Sequence, residues 1–336
     1  MKRFIIGLVL FASLSASRGD AQTLLVLPGK TVEVLGLERW SLRMIQDSLD
    51  KYAPGESLAS HACAEVLRYK LGFADASSNS YSDVRDTIER VVVAVVEPQD
   101  SARVRHRTLP MDSTTPYQPW SYAIAALQHR PGAVQAAVHT YLRWYRDSAN
   151  TPVPEWASAD SVAIRSYWRF LAAHRTSKDY RAARALLLTS HDYRNRVVAA
   201  TILANFNDRD ATLHALLEAT REQDGIVTAF AGSVLDAIAV DAPRTVDWRP
   251  VSASLHAILD GTSLFQLPSV MRVLVATGVR PTMARALLRR GGHMLVAYAS
   301  AQHPVPKSDA HRLLVALAGR DLGQDAAVWR RWVESL

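Results

Sequence analysis

The fold is decided by two segments that carry one pattern: residues 192–206, DYRNRVVAATILANF, and residues 224–238, DGIVTAFAGSVLDAI. Each segment begins with an aspartate and places apolar side chains six, seven, ten, eleven and fourteen residues later, which is the spacing of one buried helix face. A weaker copy, DSVAIRSYWRFLAAH, lies 32 residues earlier at residues 160–174. A fixed period of this length predicts stacked helical units rather than a single globular core.

The segment ahead of each copy repeats as well. It carries Ala182, Ala185, Leu186 and Thr189, which recur 31 positions later as Leu213, Leu216, Leu217 and Thr220. Each unit is therefore predicted to be a pair of helices. The aspartates that open the copies, Asp160, Asp192 and Asp224, stand where the second helix of each pair needs an N-cap, because a carboxylate there accepts free amide protons of the first turn.

Two arginines follow the second of these aspartates, and they give the pattern its resemblance to a known family. With Arg194 and Arg196 behind Asp192, the unit resembles HEAT-type repeats, in which Asp and Arg near the start of the second helix brace neighbouring units. The resemblance covers residues 180–240, with weaker units before and after. It implies a mainly α protein in which residues 119–324 form an α/α superhelix, a HEAT-like solenoid of about five helix pairs.

The end of the chain carries a second resemblance of the same kind. It holds Gly319, Asp321, Gly323, Asp325, Trp329, Arg330 and Trp332, which look like the glycine-rich turn and tryptophan-bearing last helix of some bacterial HEAT-repeat proteins. A solenoid has to cover its last apolar face, and the two tryptophans are suited to that. We therefore predict that residues 325–336 form a C-terminal capping helix.

The first 21 residues have the composition of a secretory signal peptide. Lys2 and Arg3 precede an apolar run over residues 4–14, and small residues lead to Ala21, which suits cleavage before Gln22. The run is too short for a membrane-spanning helix, which needs about 20 apolar residues. We therefore predict an exported protein, periplasmic or extracellular, with no membrane span in the mature chain.

Residues 23–110 mix strand and helix signals and are predicted to form a small α+β domain. The predicted elements are a hairpin around Pro28 and Gly29, helices over 37–52 and 58–72, and a second hairpin that pairs 89–97 with 101–109. Three prolines lie between residues 108 and 119, so residues 111–118 are predicted to be a linker to the helical repeats.

The formal net charge of the chain is +7, and removal of residues 1–21 leaves 36 basic against 31 acidic residues. Nearly all of the basic residues are arginines, spread along the predicted helices. A nucleic-acid binder usually concentrates its charge on one face, with aromatic side chains for stacking. We therefore predict no nucleic-acid partner and interpret the arginines as solvated faces and interhelix contacts.

No catalytic, cofactor-binding or metal-binding residue is predicted, and no cofactor. The triplet Cys63-Ala64-Glu65 matches part of the zinc deaminase pattern, but that site needs a downstream Pro-Cys-x-x-Cys, and Cys63 is the only cysteine. His61 and Cys63 alone fall short of the four ligands of a closed zinc site. Cys63 lies in an apolar helical run, so we predict a buried thiol rather than a nucleophile.

Five residues are predicted to form an interaction surface. Arg103, Arg105 and Arg107 alternate on the predicted strand and either guard a sheet edge, which we favour, or grip an acidic peptide or polysaccharide. Trp120 and Trp156 lie beside prolines at helix entries and are candidates for the lining of a binding groove.

These features predict a non-enzymatic exported scaffold or adaptor that binds another protein through the concave face of the solenoid. The partner and the oligomeric state stay open. A second hypothesis makes residues 23–110 a ligand-binding or enzymatic module, because His61, Cys63 and the arginine strand lie within it. A third is an envelope-polymer binder, which the many arginines permit.

Overall fold

The computed structural model describes residues 23–60, 62–81, 88–109 and 115–336. Within these residues the protein is mainly helical, with a small four-stranded sheet near the start of the chain. The predicted signal peptide, His61 and residues 111–114 of the predicted linker lie outside the described residues. None of the helices in the described ranges has the length and apolar character needed to cross a membrane.

The sheet is built from β1 (Leu24–Leu27), β2 (Lys30–Leu35), β3 (Asp75–Tyr81) and β4 (Glu89–Val96), in the order β1-β2-β4-β3. The predicted first hairpin is confirmed: β1 and β2 are antiparallel, and Leu27 pairs with Lys30 across a two-residue turn. Gly29 has a φ of 71° there, a conformation that glycine adopts readily. β2 and β4 run parallel, whereas β3 and β4 are antiparallel.

The predicted second hairpin is wrong. After β4 the chain makes a short 3-10 turn over Pro98–Arg103 and continues to residue 109 without forming a strand. The partners of β4 are instead β2 and β3. The sequence analysis missed β3, because its residues, DASSNSY, include none of the β-branched side chains that usually mark a strand.

Two helices, α1 (Leu42–Tyr52) and α2 (Cys63–Tyr69), pack against one face of the sheet and are shorter than predicted. α1 begins five residues later than expected because the buried Glu97 carboxylate accepts the backbone amides of Glu38, Arg39 and Trp40, each at 2.8 Å. Those contacts hold the chain out of the helix until Ser41, whose hydroxyl caps α1 by accepting the Met44 amide.

The rest of the chain is a succession of helices with short connections. They are α3 (Ser121–His129), α4 (Pro131–Arg146), α5 (Ser161–Ala173), α6 (Ser177–Thr189), α7 (Tyr193–Leu203), α8 (Asp210–Ala219), α9 (Gly225–Asp241), α10 (Ser252–Asp260), α11 (Leu267–Ala276), α12 (Ala284–Leu288), α13 (His293–Ala299), α14 (Pro304–Ala318) and α15 (Ala326–Glu334).

These helices pack in two rows. One row runs through α7, α9, α11 and α14, and the other through α6, α8, α10 and α12. The two strong sequence copies correspond to α9 and to α7 with the turn after it. In both copies all five positions of the apolar stripe are buried. One contact departs from simple stacking: α4 packs directly against α9, so part of the α9 surface that a partner would need is already covered.

The predicted caps differ in what their carboxylates bind. Asp192 accepts the Arg194 amide at 2.9 Å, and Asp224 accepts the amides of Ile226 and Val227 at 3.0 and 3.1 Å. Asp160 lies at the N-cap position of α5 but makes no capping bond, because its carboxylate accepts the Arg130 guanidinium at 3.0 Å instead.

The last helix covers the end of the helical core. Trp329 of α15 is buried, and its indole N–H donates to the Gly323 carbonyl at 2.7 Å. Trp332 packs edge-on against Trp329, with 5.8 Å between ring centroids. The α15 N-cap is Asp325, whose carboxylate accepts the Ala327 amide. The two tryptophans therefore attach α15 to the helical core.

Candidate functional site: a groove beside Trp156

An open groove lies between α4 and the segment that follows it. Its volume is about 710 Å³, and it is lined by His139, Thr140, Arg143, Asn150, Thr151, Pro152, Pro154 and Trp156. Trp156 is 69% exposed, which is unusual for the largest side chain in proteins, because an indole normally buries its apolar surface. The groove therefore combines free space with an uncovered aromatic side chain.

Local hydrogen bonds fix the wall that carries Trp156. The Asn150 side-chain amide donates to both Asp147 carboxylate oxygens at 3.2 and 3.0 Å, and the Thr151 hydroxyl donates to the Asp147 carbonyl at 2.7 Å. Pro152 and Pro154 restrict the backbone beyond this turn. Trp156 follows in a 3-10 turn over Glu155–Asp160 that leads into α5. The indole is thus presented by a segment with little conformational freedom.

The opposite wall is one face of α4, and its charge is neutralised. The Arg143 guanidinium forms an ion pair with Asp241 at 3.1 Å, and Arg146 reaches the same carboxylate at 3.8 Å. Burial lowers the pKa of His139, and the nearby Arg143 lowers it further, although Asp236 opposes both effects. His139 is therefore a neutral imidazole at pH 7, able to donate one hydrogen bond and accept another.

A row of ion pairs continues across the neighbouring helices from the region of His139. Asp236 of α9 accepts the Ser269 hydroxyl at 2.6 Å and the Arg272 guanidinium at 3.2 Å. Arg272 also contacts Asp309 of α14 at 3.2 Å. These opposite charges pair with one another and link α9, α11 and α14. The Trp156 indole is therefore the prominent exposed group at the groove.

Trp120 is buried, which corrects its predicted role as a groove-lining side chain. Its side chain is 1% exposed and belongs to the helical core, where it packs edge-on against Tyr117 at 4.9 Å between ring centroids. Its position beside Pro119 at a helix entry resembles that of Trp156 beside Pro154. The two tryptophans differ because the 3-10 turn over Gln118–Trp120, ahead of α3, directs its indole into the helical core, whereas the turn before α5 leaves Trp156 at the surface.

The three predicted surface arginines make contacts within the chain instead of guarding a sheet edge, because residues 104–109 are not a strand. Their partners are Glu38 for Arg103 at 3.2 Å, Asp260 for Arg105 at 3.6 Å, and Glu222 for Arg107 at 2.5 Å. Arg107 also donates to the carbonyls of Leu187 and Leu188. These contacts therefore hold residues 103–107 in place, and those of Arg105 and Arg107 attach the segment to the helical region.

The thiol of Cys63 is buried, as predicted, although it lies at the first residue of α2 and not in the middle of a helix. A helix N-terminus favours a thiolate, but burial has the larger effect and raises the pKa of Cys63 to about 11. Among the described residues, no group of three or more His, Cys, Asp and Glu side chains has an arrangement that could hold a metal ion.

Sequence reasoning found Trp156 but missed the rest of the groove. His139, Thr140 and Arg143 share one face of α4, and the helical period hides such a set because it predicts only which residues are buried. The pair Asn150-Thr151 before two prolines was a signal of a fixed turn. Comparison with protein families, with curated proteins and with solved structures gives no match to this chain.

Proposed function

We propose that this chain is an exported, non-enzymatic scaffold or adaptor, built as a HEAT-like α/α superhelix, that binds an extended segment of another protein in the Trp156 groove. The single observation that carries the proposal is the exposed indole beside a groove of about 710 Å³. Tryptophan and arginine are the side chains most often responsible for affinity at protein interfaces. Export rests on the composition of residues 1–21.

The superhelix part of the proposal is supported by contacts between the two strong repeat units. The Arg196 guanidinium of α7 donates to the Glu222 carboxylate at 2.8 Å and lies 3.6 Å from Asp224, the cap of α9. This is the bracing of neighbouring units that the HEAT resemblance implies. The Asp224 carboxylate thus serves both its own helix and the preceding unit.

The groove is a better binding site than the open inner face expected from the sequence. α4 packs on α9, which removes part of that face, whereas the groove between α4 and the segment after it is open and carries the exposed Trp156. Its walls carry neutral polar groups, among them the His139 imidazole and the side-chain oxygen of Asn150. An extended peptide can use these groups for its backbone while one of its side chains packs against the indole.

The alternative, an enzymatic module in residues 23–110, has less support. At neutral pH a thiol with a pKa of about 11 is almost entirely protonated, and the thiolate is the reactive form. The predicted arginine strand, the other basis for that hypothesis, is instead a set of contacts to the helical region.

The test is selection of peptides from a random displayed library on the chain from Gln22 onward. We expect enriched peptides to lose at least about 30-fold in affinity, or about 2 kcal/mol, for Trp156→Ala, because an aromatic anchor at an interface contributes that much. Isothermal titration of synthetic versions of the enriched peptides measures the loss.

The matched control is Tyr69→Ala, which removes another exposed aromatic side chain, 77% exposed, from α2. It is expected to leave peptide affinity unchanged. Failure to enrich any peptide, or equal affinity for wild type and Trp156→Ala, would contradict the proposal. Circular dichroism of both variants checks that the fold is intact.

A further inference from the structure

The excess of positive over negative charge lies in the carboxyl-terminal part of the chain, although arginines occur along all of the predicted helices. Residues 22–279 hold 27 basic and 27 acidic residues, whereas residues 280–336 hold nine basic and four acidic ones. The whole net charge after residue 21 therefore belongs to the last 57 residues, which form α12 to α15 and the turns between them.

Most of the acidic side chains in this region are engaged within the chain. Asp309 contacts both Arg272 and Arg312, Asp321 accepts the Gly323 amide at 2.8 Å and contacts His311 at 3.1 Å, and Asp325 caps α15. Six arginines remain exposed with no carboxylate within 4 Å in the described part of the chain: Arg280, Arg289, Arg290, Arg320, Arg330 and Arg331.

Contacts between chain segments bring together the turns and helix ends that carry several of these arginines. A Cβ atom at Gly319 would lie 3.3 Å from the ring of Pro281, so Arg320 and Arg280 are neighbours. The Arg285 guanidinium, at the start of α12, donates to the Leu336 carbonyl at 2.9 Å, which places the start of this five-residue helix, and Arg280 before it, close to the residues that follow α15. We name the six arginines together the basic end.

We infer that the basic end binds the phosphate groups of an anionic lipid bilayer. Guanidinium groups form paired hydrogen bonds with phosphate oxygens, and exposed arginines are attracted by the negative surface potential of such a membrane. Binding of this kind is peripheral and needs no spanning helix.

The surroundings of the basic end favour a lipid surface over a protein or a nucleic acid. Val305 is the only large apolar side chain exposed in residues 280–336, whereas protein interfaces depend on apolar and aromatic anchors. Tyr298 and Trp329 are buried, and Trp332 packs partly buried against Trp329 and the core, so this region presents no fully exposed aromatic ring for stacking on bases. The Trp156 groove and a second groove beside Tyr117 are lined by residues before 200, away from this region of the chain.

The test is flotation of the chain from Gln22 onward, which contains every described residue, with phosphatidylcholine vesicles that either contain or lack phosphatidylglycerol. We expect binding only to the phosphatidylglycerol vesicles and release by added salt. The triple variant Arg280→Glu, Arg289→Glu, Arg331→Glu is expected to bind these vesicles at least about tenfold more weakly.

The matched control reverses three exposed arginines of α5 and α6, as Arg165→Glu, Arg169→Glu, Arg184→Glu, and thus makes the same change in net charge. It is expected to retain vesicle binding. Three results would overturn the inference: no binding to phosphatidylglycerol vesicles, equal loss in both triple variants, or tighter binding to duplex DNA or polyphosphate at the same salt concentration. Circular dichroism establishes that each variant is folded.

Discussion

The sheet region, residues 23–109, and the helical region, residues 115–336, were expected to be separate domains, yet they share a core. Along β4 the side chains alternate: Val91, Val93 and Val95 pack with α1 and α2, whereas Val92, Ala94 and Val96 belong to the core of the helices. The sheet is therefore a layer between two sets of helices. A change in composition near residue 110 marks a change of secondary structure and does not mark the edge of a core.

Polar contacts join the same two regions. The buried Glu33 carboxylate of β2 accepts the amides of Gln302 and His303 at 2.6 and 3.0 Å. Asp75 of β3 accepts the Leu264 amide at 3.1 Å, and burial raises the pKa of this carboxyl group. Each carboxylate accepts hydrogen bonds from backbone amides at the start of a distant helix or in a distant turn. These bonds hold the sheet in one orientation on the helical region.

The largest expected effect comes from breaking the contact between residues 104–109 and the helices. Glu222→Ala removes the carboxylate that Arg107 and the buried Arg196 share. Because it leaves buried charge without a partner, we expect a loss of about 3–5 kcal/mol in the free energy of unfolding. Urea denaturation measures it. Glu155→Ala, at an exposed site, is the control, and a loss below about 1 kcal/mol for Glu222→Ala would contradict the prediction.

A pair of smaller changes tests whether the two cores unfold together. Val92→Ala removes methyl groups from the helical core, and Val93→Ala removes them from the core with α1 and α2. Each is expected to cost about 2 kcal/mol. Both variants should shift one cooperative thermal transition. If Val93→Ala instead produced a separate early transition, the sheet region would be an independent domain after all.

The smallest expected effect is a pH dependence that arises in the helical region alone. Burial lowers the pKa of His139 below its ordinary 6.5, so on acidification the unfolded chain takes up this proton first. The stability from the neutral imidazole is complete above pH 6.5 and is lost as the pH falls below it. Thermal unfolding between pH 7.5 and pH 5 should therefore show a weaker pH dependence for His139→Gln than for wild type.

The control for this prediction is His129→Gln, which changes an exposed histidine at the end of α3. Its thermal stability should follow the wild-type pH dependence. An unchanged slope for His139→Gln would show that this imidazole is hydrated in the folded protein and that the groove wall is more open than the structure indicates.

Much of the fold could be predicted because its signals are local. The β1–β2 hairpin followed from Pro28 and Gly29, β4 from its run of valines, and the repeat helices from apolar stripes with a fixed period. The failures have non-local causes. β3 exists because β4 needs a partner on its second edge, and α1 starts late because Glu97, far along the chain, binds the amides ahead of it.

The candidate site divides in the same way. The sequence by itself determined that Trp156 follows two prolines ahead of a helix, and that arginine is abundant, since both are matters of residue type and order. Only the tertiary structure decided that Trp156 is exposed while Trp120 is buried, that Arg107 meets Glu222, and that α4 lies on α9. The period of the apolar residues predicts which side of a helix is buried. Which helix or strand covers that side depends on packing between segments that are distant in the chain.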